Sequence, residues 1–310
     1  MPLFFCYNED NSCFNFSKDM EDIRMKKEFN FKRGYTHAGG FHADDVFSTA
    51  LIELICKVKG IDMIPIYRVF NVDKDLESDA ISYDIGGGRY DHHQEGAEVR
   101  ENGNKYAAFG LLWRDFGYIV CSDSSARERI DEYFIQPLDL SDNFGNSNDL
   151  SEMISSFNPC WNETFSPDDS FWEAVSIAEK ILKRKIIQQM GITEAHKQVE
   201  EFLESSDGEI VVLDKFLPWR DVLISSSAKF VVFPSKRGGY SAQVVPISKE
   251  VTTAKCDFPK EWGGLRNEEL CEVAGMKGLV FCHSALFLLA AETKEAAIDG
   301  CKLALRLAKD

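Results

Sequence analysis

The sequence has no C-x-x-C pair, no apolar run long enough to span a bilayer, no low-complexity tract, and fewer bases than acids. Its nine cysteines, an odd number spread from Cys6 to Cys301, argue against a disulfide framework and a structural zinc site. They point instead to reduced thiols in a cytoplasmic setting. The longest apolar stretch, 278–291, is interrupted by His283 and Ser284 and falls short of a membrane helix. The first residues hold too short an apolar run and too many acids for a secretory leader, and they lack the Arg-rich, acid-poor character of a transit peptide. The expectation is a soluble cytoplasmic protein with no membrane partner. Lysine and arginine number 35 against 51 aspartates and glutamates, a net charge of −16. From residue 206 onward 14 acids and 14 bases cancel, so residues 1–205 carry the whole imbalance. An acidic half repels polyanions unless bound cations invert the local field. Strong non-specific nucleic-acid binding is therefore disfavoured, and metal binding in the first half is favoured.

What is present is a globular composition, 44% apolar and 28% charged, over 310 residues, enough for two domains with a core each. Residues 1–30 show no clear period and read as an extension, with Met25 an alternative natural start. Residues 31–37 read as a strand ending in the turn Ala38-Gly39-Gly40. A helix follows from about Asp44, with Phe47, Ala50, Leu51, Leu54, Ile55 and Val58 at helical spacing and Gly60 as its stop. Strand candidates at 63–70 and 80–84 complete a strand–helix–strand alternation, the mark of a parallel sheet with crossover helices. Helical patterns continue over 107–116, 125–138, 149–157 and from Asp168 into the 190s. Beyond Ser206 short strands take over, at 209–213, 230–233 and 241–247, and a final helix fills 293–309. The fold class is α/β, an N-terminal mostly parallel sheet (31–205) with a smaller C-terminal α+β domain (206–310).

The chemistry gathers in the first domain. His37, His42 and Asp44 flank a strand-to-helix turn, where side chains converge at the carboxyl edge of a parallel sheet. Asp84 stands at another strand end before three glycines, and Asp91-His92-His93 follows. Asp139 and Asp142 lie in a stretch, 138–145, read as a loop. Alone, Asp44 or Asp45 reads as a helix cap and Asp84 as turn chemistry. The joint pattern His-x4-His-x-Asp, Asp-Ile-Gly-Gly and Asp-His-His-Gln is what raises them to a metal centre. Imidazole and carboxylate without thiolate suit manganese, magnesium, iron, cobalt or zinc. About seven donors are too many for one tetrahedral ion and enough for two sharing a carboxylate, an arrangement used to cleave phosphoesters.

The strings Thr36-His37-Ala38-Gly39-Gly40-Phe41-His42-Ala43-Asp44-Asp45, Tyr83-Asp84-Ile85-Gly86-Gly87 and Tyr90-Asp91-His92-His93-Gln94 resemble the Myg-type (melanocyte-proliferating-gene) branch of the DHH phosphoesterase superfamily. Phe109-Gly110-Leu111-Leu112-Trp113, Asn158-Pro159-x-Trp161-Asn162 and Trp262-Gly263-Gly264-Leu265-Arg266 extend the resemblance, which covers about residues 31–310. It implies a catalytic α/β domain and a smaller C-terminal substrate domain. It also implies one ion on His37, His42 and Asp84, and another on Asp44, Asp84, His92 and Asp142, with Asp84 shared and manganese favoured. Asp139 competes with Asp142 for the last position. His93 would face the substrate phosphate, with Asp91 orienting a histidine. Family members resemble exonucleases acting on RNA.

The sequence departs from the family in one place. A His-Ala-Ser-Gly-Phe-Ile-Gly-Gly-like stretch is replaced by His283-Ser284-Ala285-Leu286-Phe287-Leu288-Leu289-Ala290, which keeps the histidine and loses the glycines. His283, Arg266, Lys236 and Arg237 remain the substrate-binding candidates of the second domain. The leading expectation is a phosphodiester hydrolase acting on RNA or a short oligonucleotide. A small-nucleotide phosphatase or phosphodiesterase, and a non-catalytic metal- or nucleotide-binding regulator, are the competing readings.

Overall fold

The computed structural model describes residues 27–72 and 76–309. Most of the N-terminal extension, Met25 included, lies outside them. The chain divides into two compact units, one running to Gln189 and the other from Met190. The division falls inside a single long helix, upstream of the charge break at 205.

In the first unit, three parallel strands form a sheet of order β2-β1-β3: β1 (Arg33–His37), β2 (Ile66–Val69) and β3 (Ala80–Ser82). Parallel neighbours need a crossover, which helix α1 (Ala43–Lys59) supplies between β1 and β2. Gly34 in β1 leaves room for the Ile66 side chain, whose Cδ1 would lie 2.5 Å from a Cβ there. Helix α1 is buried on almost every side, and Gly60 ends it at φ 67°. It packs on α2 (Ala108–Val120) through Phe47 and Phe109, whose rings stack 5.5 Å apart. Helices α3 (Ser124–Ile130) and α4 (Gln136–Phe144) are joined by a wide helical turn at Asp131–Ile135. The stretch expected as a loop at 138–145 is therefore α4. Pro137 suits its first turn and Gly145 (φ 66°) caps its end, the usual asymmetry of helix termini. Short α5 (Asp149–Ser155) follows, then α6 (Pro167–Glu204).

The second unit is a mixed five-stranded sheet of order β4-β5-β6-β8-β7. Its strands are β4 (Ile210–Val212), β5 (Phe230–Pro234), β6 (Tyr240–Val244), β7 (Leu279–Cys282) and β8 (Leu288–Ala291). Period-2 alternation splits its core in two. Phe230, Val232, Ala242 and Val244 join Ala297, Cys301 and Ala304 of α9 (Lys294–Leu307). Val211, Val231 and Phe233 join Ala195 and Val199 of α6 and Leu223 of α7 (Arg220–Ile224). Helix α8 (Asn267–Ala274) precedes β7. The apolar stretch 278–291 is the β7–β8 hairpin. Among the described residues no helix is long and apolar enough to cross a membrane, and every cysteine is free.

Candidate metal centre

The carboxyl ends of β1 and β3 meet the start of α1. His37 is the last residue of β1; its Nδ1 lies 3.4 Å from the Ala38 carbonyl, which leaves Nε2 to face inward. That Nε2 stands 3.2 Å from Asp84 Oδ2 and 3.3 Å from Asp45 Oδ2. Asp84 follows β3 in the left-handed region at φ 57°, which aspartate tolerates better than most side chains. Gly86, at φ 91°, turns the chain back beneath it, where a Cβ would meet Val72 at 3.1 Å.

The turn then presents Asp91, His92 and His93. Asp91 accepts from the Gly87 N–H at 2.7 Å, the His93 N–H at 3.0 Å and His93 Nδ1 at 3.0 Å. These bonds outweigh burial and hold its carboxyl below the usual range. His93 is thereby oriented with Nε2 available, and it lines a cavity of about 350 Å³ with His42, Asp142, Asn148 and Ser151. His92 is buried, its Nδ1 3.6 Å from Asp84 and 3.9 Å from Asp44, its Nε2 2.8 Å from Asp142.

Asp44 caps a helix, though not its own. Its two oxygens accept from Ala108 N at 2.9 Å and Phe109 N at 2.7 Å, at the start of α2. Asp45 provides the cap within α1, accepting from the His42 N–H at 2.8 Å. Its other oxygen turns to His37, a role its capping position had masked. The two candidates of α4 meet different partners. Asp142 faces His92, whereas Asp139 is fully buried 2.7 Å from the Arg100 guanidinium.

Three groups of ligand atoms lie within 4.8 Å of one another: His37, His42, Asp84; Asp44, Asp84, His92, Asp142; and Asp84, Asp91, His92, His93. Asp84 belongs to all three, and Asp139 to none. The electrostatics are those of crowded carboxylates. Burial, then the charges of Asp84, Asp142 and Asp139, push Asp44 well above the carboxylate range. Burial lifts Asp45 to about 7. Burial disfavours a charged His37, but the adjoining carboxylates outweigh it and raise its pKa to about 9. His92 is raised against burial by Asp142 and Asp84. Four buried atoms here, His37 Nε2, Asp45 Oδ2, Asp84 Oδ1 and His92 Nδ1, have no hydrogen-bond partner. Orphaned nitrogen and oxygen donors at one point, among crowded carboxylates, fit a divalent cation.

The second-unit candidates separate. Arg266 lies over Phe281 at 4.5 Å, and the His283 ring is 6.1 Å from Phe281 and 4.4 Å from Phe287. Lys236 and Arg237 sit in the exposed β5–β6 turn, beside Tyr240 at one end of β6. The His283 loop adjoins Val244 at the other end. The structure does not bring the two pairs together.

The fold and these groupings define a class: an α/β protein with a candidate divalent-metal site of nitrogen and oxygen donors at the carboxyl edge of its parallel sheet. Within that class the chain belongs to the MYG1 exonuclease family, whose model, described as "Uncharacterised protein family (UPF0160)", matches residues 35–305. A MYG1 protein of Dictyostelium discoideum is 28% identical, over 85% of this chain and 93% of its own length. The MYG1 exonuclease of Homo sapiens is 26% identical, over 87% of this chain and 85% of its own length. A MYG1 protein of Chlamydia pneumoniae is 27% identical, over 88% and 94%. No solved structure matches the chain.

Proposed function

We propose that the chain is a metal-dependent phosphodiester hydrolase with a DHH-like catalytic unit, acting as an exonuclease on RNA ends. The observation that carries the proposal is the shared position of Asp84 between the His37–His42 group and the Asp44–His92–Asp142 group. Those six residues would hold two ions, with manganese favoured. When bound, such a pair supplies a water nucleophile active at neutral pH and neutralises charge building on the phosphoryl oxygens.

The chain's own residues do the rest. The Ala38 carbonyl fixes the ring of His37 through Nδ1, and the two α2 amides fix Asp44, so these donors are aligned before the cation arrives. Asp91 holds the His93 ring through Nδ1, so that Nε2, when it also carries a proton, donates to the substrate phosphate or the leaving oxygen. The relatives named exonucleases support the nuclease reading. In the second unit, His283 and Arg266 share the Phe281 surface and are the better substrate contacts; Lys236 and Arg237 are solvated turn residues.

A small-nucleotide phosphodiesterase is the second reading, favoured by the acidity of residues 1–205 and by the modest cavity beside His93. Manganese-dependent release of nucleotides from end-labelled RNA, measured beside dinucleotide and mononucleotide substrates, separates the two. Cleavage of the short compounds alone would remove the exonuclease reading.

A further inference from the structure

The Asn158-Pro159-Cys160-Trp161-Asn162 string and Phe70 take no part in the ligand groups. Trp161 is 96% exposed and Phe70 80% exposed, the highest values among the exposed large apolar side chains of the described residues. Phe70 approaches the turn between His37 and His42 at Gly39, and the string that carries Trp161 is tied to the same turn at Phe41. Asn158 grips the backbone of Phe41 on both sides: the Phe41 N–H donates to Oδ1 at 2.9 Å, and Nδ2 donates to the Phe41 carbonyl at 2.8 Å. A tight turn follows, in which the Glu163 N–H donates to the Cys160 carbonyl at 2.9 Å and the Cys160 N–H to the Glu163 carboxylate at 2.7 Å. Trp161 stands on that turn, within about 10 Å of chain from Asn158. Phe70 follows β2, its ring 3.8 Å from where a Cβ on Gly39 would lie.

Charge does not offer this surface a grip on phosphate. Arg68, beside the turn, has its side chain buried against Phe171 at 4.4 Å and bound to Asp168 at 2.6 Å and the Gly39 carbonyl at 2.8 Å. The unit as a whole is acidic. A site that must hold a polyanion with few free cations needs another source of affinity, and base stacking is independent of charge. An anchored turn that keeps an indole in water, next to the turn carrying the metal ligands, supplies a stacking plane.

We infer that Trp161 and Phe70 form a base-stacking platform for the terminal nucleotides of a single-stranded nucleic acid. The inference rests on the nuclease reading above. Because Trp161 is almost wholly exposed, Trp161→Ala leaves the fold intact. The test measures binding and cleavage of a single-stranded oligonucleotide, and of the same strand with abasic terminal nucleotides, by wild type, Trp161→Ala, Trp161→Phe and Phe70→Ala. Trp161→Ala is expected to weaken binding of the normal strand at least about tenfold, Trp161→Phe far less, and neither to change binding of the abasic strand by more than about twofold. Equal binding by wild type and Trp161→Ala, or an equal loss on both strands, overturns the platform; the latter result, with a pull-down of protein through Trp161, would make the aromatics a protein-docking patch. A wild-type chain that binds with Trp161 dependence but cleaves nothing keeps the platform and removes the nuclease reading. One that binds neither strand overturns both.

Discussion

Asp84 concentrates the chemistry of the site in one side chain. Its left-handed backbone and the glycines after it aim the carboxylate at His37, His92 and His93 together. Asp84→Asn keeps the shape and the tolerance for that backbone while removing the charge. It is expected to fold normally and to lose metal affinity by at least about 100-fold; unchanged affinity in a titration would rule out a bridging carboxylate. His93 has the opposite profile. Its Nδ1 is held by Asp91 and its ring is exposed, so His93→Ala should retain bound metal and lower turnover by about 100-fold or more. Loss of metal in that variant would make His93 a ligand. These residues were legible in the sequence because they stand in short strings at strand ends, where a parallel sheet gathers distant residues. Asp45 was less legible, since an acid in the first turn of a helix is sufficiently explained by capping. Its second oxygen, facing His37, has no signature in the string.

Element geometry decides what the strings left open. Asp139 and Asp142 were indistinguishable while 138–145 was taken for a loop; on α4, one turn apart, the buried Asp139 meets Arg100 and the more exposed Asp142 meets His92. Asp142→Ala should therefore reduce metal binding with little change in melting temperature. Asp139→Ala should cost about 2 kcal/mol in a denaturant titration, by removing one of the two carboxylates beside buried Arg100. The reverse assignment of the two effects would refute this division. The β7–β8 hairpin was hidden for another reason. Its connection has no glycine or asparagine to announce a turn, yet Leu286 sits at φ 60°. Leu286 also packs on the core beneath the sheet. Leu286→Ala loses that packing and keeps the strain, whereas Leu286→Gly loses the packing and relieves it. Glycine should thus be the more stable replacement by about 1 kcal/mol, against the usual order of the two residues. Equal or inverted thermal stabilities would show that the backbone is not strained there.

At the scale of the whole molecule, the charge asymmetry seen in composition takes physical form as a cluster of buried carboxylates around His37 and His92. Without a cation His37 titrates at about 9 and Asp45 at about 7. Ligation requires the deprotonated forms, so uptake of metal releases protons. The sign follows directly. Below pH 9 the imidazole of His37 must lose its proton to bind, and apparent affinity should fall by about tenfold per pH unit for each proton displaced. Calorimetric titration with manganese in buffers of different ionisation enthalpy counts those protons, and a count of zero at pH 7 would contradict the buried-carboxylate account. The boundary expected near residue 206 and the break between the two units, after Gln189, are different places. The shift from helices to short strands was visible near residue 206, but α6 runs on across the break between units, and its periodicity gives no sign of where one core ends. The account's central claim is a pair of ions sharing Asp84, and the most direct test is the metal-to-protein ratio of manganese-loaded, desalted chain by elemental analysis, for wild type and Asp84→Asn. The predicted result is about two ions per wild-type chain and fewer than one in the variant; a wild-type ratio near zero, or a variant ratio equal to that of wild type, would contradict it.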